Sequence, residues 1–196
     1  MKKRPATKAE LDFVSSLLGP RGVDVRDLGP LEAADLRKHE LVLSAGDDPD
    51  ASGLVVSGVL REFYLQPDGS EHTRGFGQTG DSFGSLSDSL QHRPSRVFVR
   101  AETAARVVFV PWSKVRALMK KSLAWERLAA GIVERLYLKK SVREYELLAL
   151  DAMGRYQSMR EQYPGLEQKV PATVIASYLG ITNVHLSRLR RRLKAR

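Results

Sequence analysis

The stretch Ala172–Leu193, ATVIASYLGITNVHLSRLRRRL, constrains this chain more than any other. It reads as two short helices joined at a glycine. Ile175, Ala176, Leu179, Ile181, Leu186 and Leu189 fall at the apolar positions of a helix-turn-helix unit. Gly180 stands where the turn needs a positive φ or a close approach. The second helix is expected at about Thr182–Lys194, with Thr182 as its N-cap and Leu186, Leu189 and Leu193 turned inward. Arg188, Arg190, Arg191, Arg192, Lys194 and Arg196 follow with no acid among them. A supported, cation-bearing helix is what a protein needs to enter the major groove of DNA. On this register Asn183, Val184, Ser187 and Arg188 face outward early in the helix. Arg188 suits bidentate pairing to a guanine, and Asn183 suits an adenine. His185 and Ser187 read as edge or phosphate contacts, Thr173 and Tyr178 as further phosphate contacts, and the capping Thr182 belongs to the same DNA-binding set. Arg190, Arg191, Arg192 and Lys194 read as phosphate neutralisers, which add affinity without sequence information.

Charge placement supports this. Of a net charge of +9, most sits at the C-terminal end: residues 151–196 carry nine Lys/Arg against three Asp/Glu, and residues 1–150 carry twenty-three against twenty. Such asymmetry fits a polyanion-binding module on a near-neutral body. Other classes are excluded or disfavoured. Zero cysteines rule out disulfides, thiolate zinc sites and cysteine-ligated iron–sulfur clusters. No apolar run approaches the roughly 18 residues of a membrane span. The start MKKRPATKAELDF lacks the apolar core of a signal peptide, so a cytoplasmic protein with no membrane partner is expected.

The rest of the chain changes texture twice. Residues 6–18 read as a short helix ending at Gly19-Pro20, and DLGPLEAADL within 27–36 as a further helical turn. From about Arg37 to Pro111 come short β-type runs broken by Gly, Asp and Pro, with Pro67-Asp68-Gly69 as a hairpin turn. This spacing predicts a sandwich or jelly-roll barrel. Helical pattern returns at residues 112–120 and over about Ser122–Leu150. There Trp125, Leu128, Ala129, Ile132, Val133 and Leu136 make an apolar side broad enough to face both the barrel and a partner helix. Gly131 inside that helix costs on the order of 1 kcal/mol against Ala, which is either offset by close helix–helix contact or tolerated as a defect. Asp151 is a good N-cap for a helix over Ala152–Gln162, and Glu167–Val170 reads as extended.

In this order the parts resemble the Crp/Fnr family of bacterial transcription regulators. The resemblance is carried by LVLSAGD (41–47), LVVSGVLREFYLQPDGSEHT (54–73), GDSFGS (80–85), SRVFVRAET (95–103), VVFVP (107–111), DAMGRY (151–156) and IASYLGITNVHLSRLRRRL (175–193). It implies an α+β protein: an N-terminal β-roll (a double-stranded jelly roll), a long dimerisation helix, and a C-terminal winged helix-turn-helix-type helical domain. The expected division is 1–120 for the N-terminal helices and cyclic-nucleotide-binding-like roll, 121–150 for the dimerisation helix and hinge, and 151–196 for the DNA-binding domain. Only three residues follow Leu193, so any wing is expected to be abbreviated, around residues 165–171. The implied function is that of a homodimer reading an inverted repeat in double-stranded DNA, with RNA polymerase as a further partner.

Against the family's cyclic-nucleotide pattern the sequence departs at its ligand residues. Gly84 is followed by Ser85 where a Glu usually holds the ribose, and Ser95-Arg96 stands where Arg-Ser or Arg-Thr usually meets the cyclic phosphate. Serine does not accept two hydrogen bonds as a carboxylate does. Arg96 falls one residue late, which in a strand turns it to the opposite face. Cyclic AMP is therefore not the expected effector. Gly84, Ser85, Ser95, Arg96 and Arg100 remain candidates for lining a pocket for another effector, with Arg74 in the same roll. His72 and His92 are lone candidates for a haem ligand and read better as surface residues. The four histidines, His39, His72, His92 and His185, are scattered, and no nucleophile elbow, phosphate loop or HExxH is present, so no catalytic site is expected. The competing reading is a small-molecule- or metal-binding jelly roll with no role on DNA.

Overall fold

The structure, a computed structural model, describes residues 1–194. Arg196 lies outside the described residues. Nine strands, β1 (Arg4–Pro5), β2 (Glu32–Leu36), β3 (Leu41–Leu43), β4 (Gly53–Ser57), β5 (Leu60–Leu65), β6 (Glu71–Gly77), β7 (Ser82–Phe83), β8 (Phe98–Ala101) and β9 (Ala105–Phe109), precede the long helices. The helices are α1 (Lys8–Leu18), α2 (Leu86–Leu90), α3 (Trp112–Met119), α4 (Leu123–Ala149), α5 (Ala152–Gln162), α6 (Ala172–Leu179) and α7 (Asn183–Lys194).

One sheet runs β1-β2-β9-β4-β7 and the other β3-β8-β5-β6, with antiparallel neighbours throughout. Their inner faces close over Leu43, Val55, Leu60, Val99, Val107 and Phe109, which gives the anticipated roll. The turn at Pro67-Asp68-Gly69 closes as expected, with Gln66 N donating to Ser70 O at 2.9 Å. α1 starts at a reciprocal cap, in which Thr7 accepts from Glu10 N while the Glu10 carboxylate takes Thr7 N.

One expectation fails here. DLGPLEAADL forms a single 3-10 turn over Val25–Leu28, and its second half is β2. The residues Glu, Ala and Leu favour helix in isolation, but Ala33, Ala34 and Leu36 are buried and β2 pairs along its length with β9. A pairing partner some seventy residues away overrides a weak local preference.

A second core lies on the outer side of the first sheet. Val14 and Leu18 of α1, Ala33, Val108, Val115 of α3, and Trp125, Leu128 and Ala129 of α4 pack together. Trp125 Nε1 also donates to Asp27 Oδ2 at 2.8 Å. The apolar side read from the sequence is buried against the roll in the first turns of α4. Further on, and around the opposite side of the helix, Tyr137, Leu138, Val142, Tyr145 and Leu148 stand exposed, Leu148 at 80%. A Cβ built on Gly131 meets nothing within 4 Å.

The third core joins the roll to the C-terminal helices. Val59 and Phe76 of the roll pack with Tyr156, Met159, Tyr163, Leu166, Ile175, Tyr178, Leu179, Leu186 and Leu189. Asp151 caps α5 as anticipated, its Oδ1 accepting from Gly154 N at 2.7 Å. The segment expected to be extended, and to form a small wing around 165–171, instead contains a 3-10 turn over Leu166–Gln168. Leu166 is drawn fully into the third core, which closes the chain into a turn. Among the described residues no strand follows β9.

Candidate nucleic-acid interface

α6 and α7 meet at Gly180, whose φ of 67° lies in the left-handed region. Its N–H reaches back toward Ala176 O and Ser177 O, closing α6. Thr182 then starts α7, with Oγ1 accepting from His185 N at 3.2 Å. Leu186 and Leu189 are buried against α6, and Leu193 packs at the edge of the same core. That burial fixes which side faces water: Asn183, Val184, His185, Ser187, Arg188, Arg191 and Arg192 are all exposed, as is Thr173 on α6. Thr182, Val184, His185, Arg188, Leu189 and Arg192 line a shallow hollow of about 310 Å³ along the helix. Among the described residues Arg188, Arg191 and Arg192 have no acidic partner within ion-pair distance.

Two residues depart from the sequence reading. Tyr178 does not face DNA. It is buried beside Phe76 and Tyr163, with ring centroids 5.4 and 5.9 Å away, because it points from α6 into the third core. Arg190 is half-buried and pairs with Glu167 Oε1 at 2.9 Å. Glu167 also accepts from Tyr156 Oη at 2.6 Å and lies 3.4 Å from Arg160. Arg190 thus ties α7 to the turn before α6, and its charge is already matched.

The sequence reading missed what holds this unit in place. Ser177 on α6 bridges to the roll: its hydroxyl donates to Glu71 O at 2.7 Å and accepts from Thr73 N at 2.9 Å. Arg143 of α4 stacks on the Tyr178 ring at 3.9 Å and donates to Tyr178 O. Lys139 donates to Phe76 O at 3.2 Å. The α6–α7 unit is therefore docked on β6 and on α4 rather than hung from a free linker.

The candidate effector residues fall into separate places. Val99 and Ala101 point into the roll core, so Arg100 between them faces outward. It pairs there with Glu71 at 2.8 Å and Glu102 at 3.4 Å, and lines no interior pocket with Arg96. Arg74 pairs with Glu62 at 2.9 Å. Ser95 is buried and bonds to Val97 N and O of its own turn. Gly84 has a φ of 126°, and a Cβ on it would meet Ser52 at 2.8 Å, so the glycine serves the turn itself. Ser85 and Arg96 do come together. Arg96 lies in the loop before β8, not in a strand, so the expected face reversal does not apply.

What brings them together is Asp88 on α2, a residue the sequence reading passed over. Its Oδ2 accepts from Ser85 Oγ at 2.6 Å and Arg96 N at 3.0 Å, and its Oδ1 from Arg93 Nε at 2.8 Å and Arg96 Nε at 3.1 Å. Burial works against its charged form. The Ser85 hydroxyl, the Arg96 amide and the Arg93 guanidinium outweigh it and hold the carboxyl well below the usual range. A faint sequence signal existed, since Ser85 and Asp88 have the S-x-x-acid spacing, followed by Arg93 and Arg96.

His72 and His92 are exposed, and His92 sits in a turn at φ 51°. Among the described residues no three His, Asp or Glu side chains are placed to hold a metal ion, and no helix is long and apolar enough to cross a membrane.

Comparison with known proteins agrees with this geometry. Residues 34–122 match the cyclic nucleotide-binding domain family. No curated protein sequence is a significant match to the chain. Among solved structures, FixK2 from Bradyrhizobium japonicum superposes with a TM-score of 0.71 at 21% identity, over 84% of this chain and 85% of that one. The c-di-GMP responsive global regulator CLP of Xanthomonas campestris gives 0.67 at 19% identity, over 87% and 89%. A protein from Eubacterium rectale assigned to the crp/fnr family of transcriptional regulators gives 0.67 at 18% identity, over 97% and 84%. The chain is thus a cyclic nucleotide-binding-type roll joined by a long helix to a helix-turn-helix. Its fold is that of the Crp/Fnr-family transcription regulators, which its sequence motifs resemble.

Proposed function

We propose that this protein is a sequence-specific DNA-binding transcription regulator, without catalytic activity, that works in the cytoplasm as a homodimer on an inverted repeat. The observation that carries the reading is α7: an exposed side with no acid and with three arginines that have no acidic partner among the described residues, stiffened by Leu186 and Leu189 in the core behind it. Arg188 and Asn183 read bases. Val184 lies against base edges. Thr173, Thr182, His185, Ser187, Arg191 and Arg192 hold the backbone, and Arg190 positions α7 through Glu167. A pair of such helices about 34 Å apart would meet successive major grooves. The exposed apolar side of α4 supports the dimer. Its partner is a second copy of that helix, and RNA polymerase is a further partner carried over from the resemblance.

The test is fluorescence anisotropy with a DNA site selected from a random pool and with random DNA, each titrated with salt. Affinity should fall steeply with salt on both. Arg188→Ala should lose about 1–3 kcal/mol on the selected site and less on random DNA. Salt-insensitive association would sink the reading, and equal loss on both DNAs would reassign Arg188 to phosphate.

A further inference from the structure

The domain family implies a cyclic nucleotide, whose phosphate is a singly charged oxyanion. The roll contains one cradle built for such a group. Ser85 Oγ, Arg93 Nε, Arg96 Nε and Arg96 N converge on one point from two sides of α2. That point is filled by the carboxylate of Asp88, which is fully buried. Each of its oxygens accepts two hydrogen bonds, which is the full capacity of a carboxylate. A phosphate arriving here would find those four donors engaged and a negative charge in their midst. The residues present do not fit the cyclic nucleotide.

We propose that Asp88 is an internal ligand of the roll: the chain supplies its own anion to the cradle formed by Ser85, Arg93 and Arg96, and takes up no cyclic nucleotide there. The cradle is still chemically an oxyanion site. Without the carboxylate, the buried Ser85 hydroxyl and the Arg96 amide would lose their acceptor, and two part-exposed guanidiniums would face one another with only water between them. A small tetrahedral oxyanion offers the same acceptors, and charge-assisted bonds from arginine to phosphate are strong. The inference concerns the roll alone and does not rest on the DNA-binding reading.

The experiment uses the full chain and thermal unfolding in sodium phosphate against sodium chloride at matched ionic strength, with calorimetric titration of cyclic AMP. The wild type should show no saturable cyclic AMP binding up to millimolar concentration and no phosphate-specific shift of its midpoint. Asp88→Ala should unfold at lower temperature in chloride and recover in phosphate. Each tenfold excess of phosphate over its Kd should raise the midpoint by roughly 3–6 °C until the wild-type value is approached. Folding of Asp88→Ala in phosphate but not in chloride supports the proposal equally. Should it fold in neither, Asp88→Asn, which keeps the shape and one acceptor oxygen, decides by the same phosphate response. Saturable cyclic AMP binding to the wild type overturns the proposal. So does a folded Asp88 variant no more responsive to phosphate than the wild type.

Discussion

Ser177→Ala removes one oxygen and tests whether the helix-turn-helix is held on the roll in solution. In the structure that hydroxyl serves two main-chain groups of β6, Glu71 O and Thr73 N, at 2.7 and 2.9 Å. A neutral hydrogen bond adds about 1 kcal/mol net, and a part-buried group left without a partner costs about 1–3 kcal/mol. Alanine fits the same space, so no packing term is added. Two groups losing one partner give an expected loss of about 2–3 kcal/mol. For a chain of this size that corresponds to a fall of roughly 4–12 °C in Tm. The assay is urea unfolding followed by tryptophan fluorescence, because Trp112 and Trp125 both lie in the second core. Far-ultraviolet circular dichroism runs in parallel, because α5, α6 and α7 dominate the C-terminal signal. Ser16→Ala is the control: Ser16 Oγ bonds only to Phe13 O on the exposed side of α1, and its loss should be near zero. A Ser177→Ala variant within about 0.5 kcal/mol of the wild type, with coincident transitions by both probes, would refute the docking of α6 on β6.

Two further outcomes follow from other parts of the fold. Wild-type protein should run as a dimer by light scattering at micromolar concentration, and Leu138→Glu with Tyr145→Glu should run as a folded monomer; a monomeric wild type, with and without DNA, removes the role proposed for α4. Glu10 is held by the Arg4 guanidinium, against the effect of its burial, at about 2 instead of 4.5. A depressed folded value means the unfolded chain binds more protons, so this contribution is present above pH 4.5 and lost as pH falls from there through about 2. The urea midpoint should therefore drop between pH 5 and pH 2.5 by less in Glu10→Gln than in the wild type, and identical drops would refute the assignment.

What could be read in the sequence was whatever is encoded locally. Gly180, the Thr182 cap and the spacing of Leu186, Leu189 and Leu193 define α7 within one short segment, so its outward face was legible before any fold was known. The hairpin at Pro67-Asp68-Gly69 and the Asp151 cap are equally local. The failures share another cause. β2 is a strand only because β9 lies beside it, Leu166 bends the chain only because Phe76 and its neighbours form a core, and Tyr178 turns inward for the same reason. Arg190 reads as a DNA contact until Glu167, twenty-three positions earlier, is found beside it. Arg96 sits beside strand-like residues in sequence, yet β8 begins only two residues later. Asp88 carries no motif of its own: it lies on the short helix between Ser85 and Arg96, and only the fold turns its carboxylate onto both.

The third core has a consequence for how this protein can be taken apart. Residues 151–194 look like a module by charge and by motif, yet the apolar cluster that shapes them includes Val59 and Phe76 of the roll. An excised C-terminal piece would present Tyr163 and Tyr178 to water where Phe76 had covered them, and the same cut would bare Phe76 on the remaining sheet. Grafting α5–α7 onto a different N-terminal domain would therefore require transplanting the β6 surface with it. Function in this chain is distributed by motif, but inheritance, at the level of what must be kept together, follows the aromatic seam.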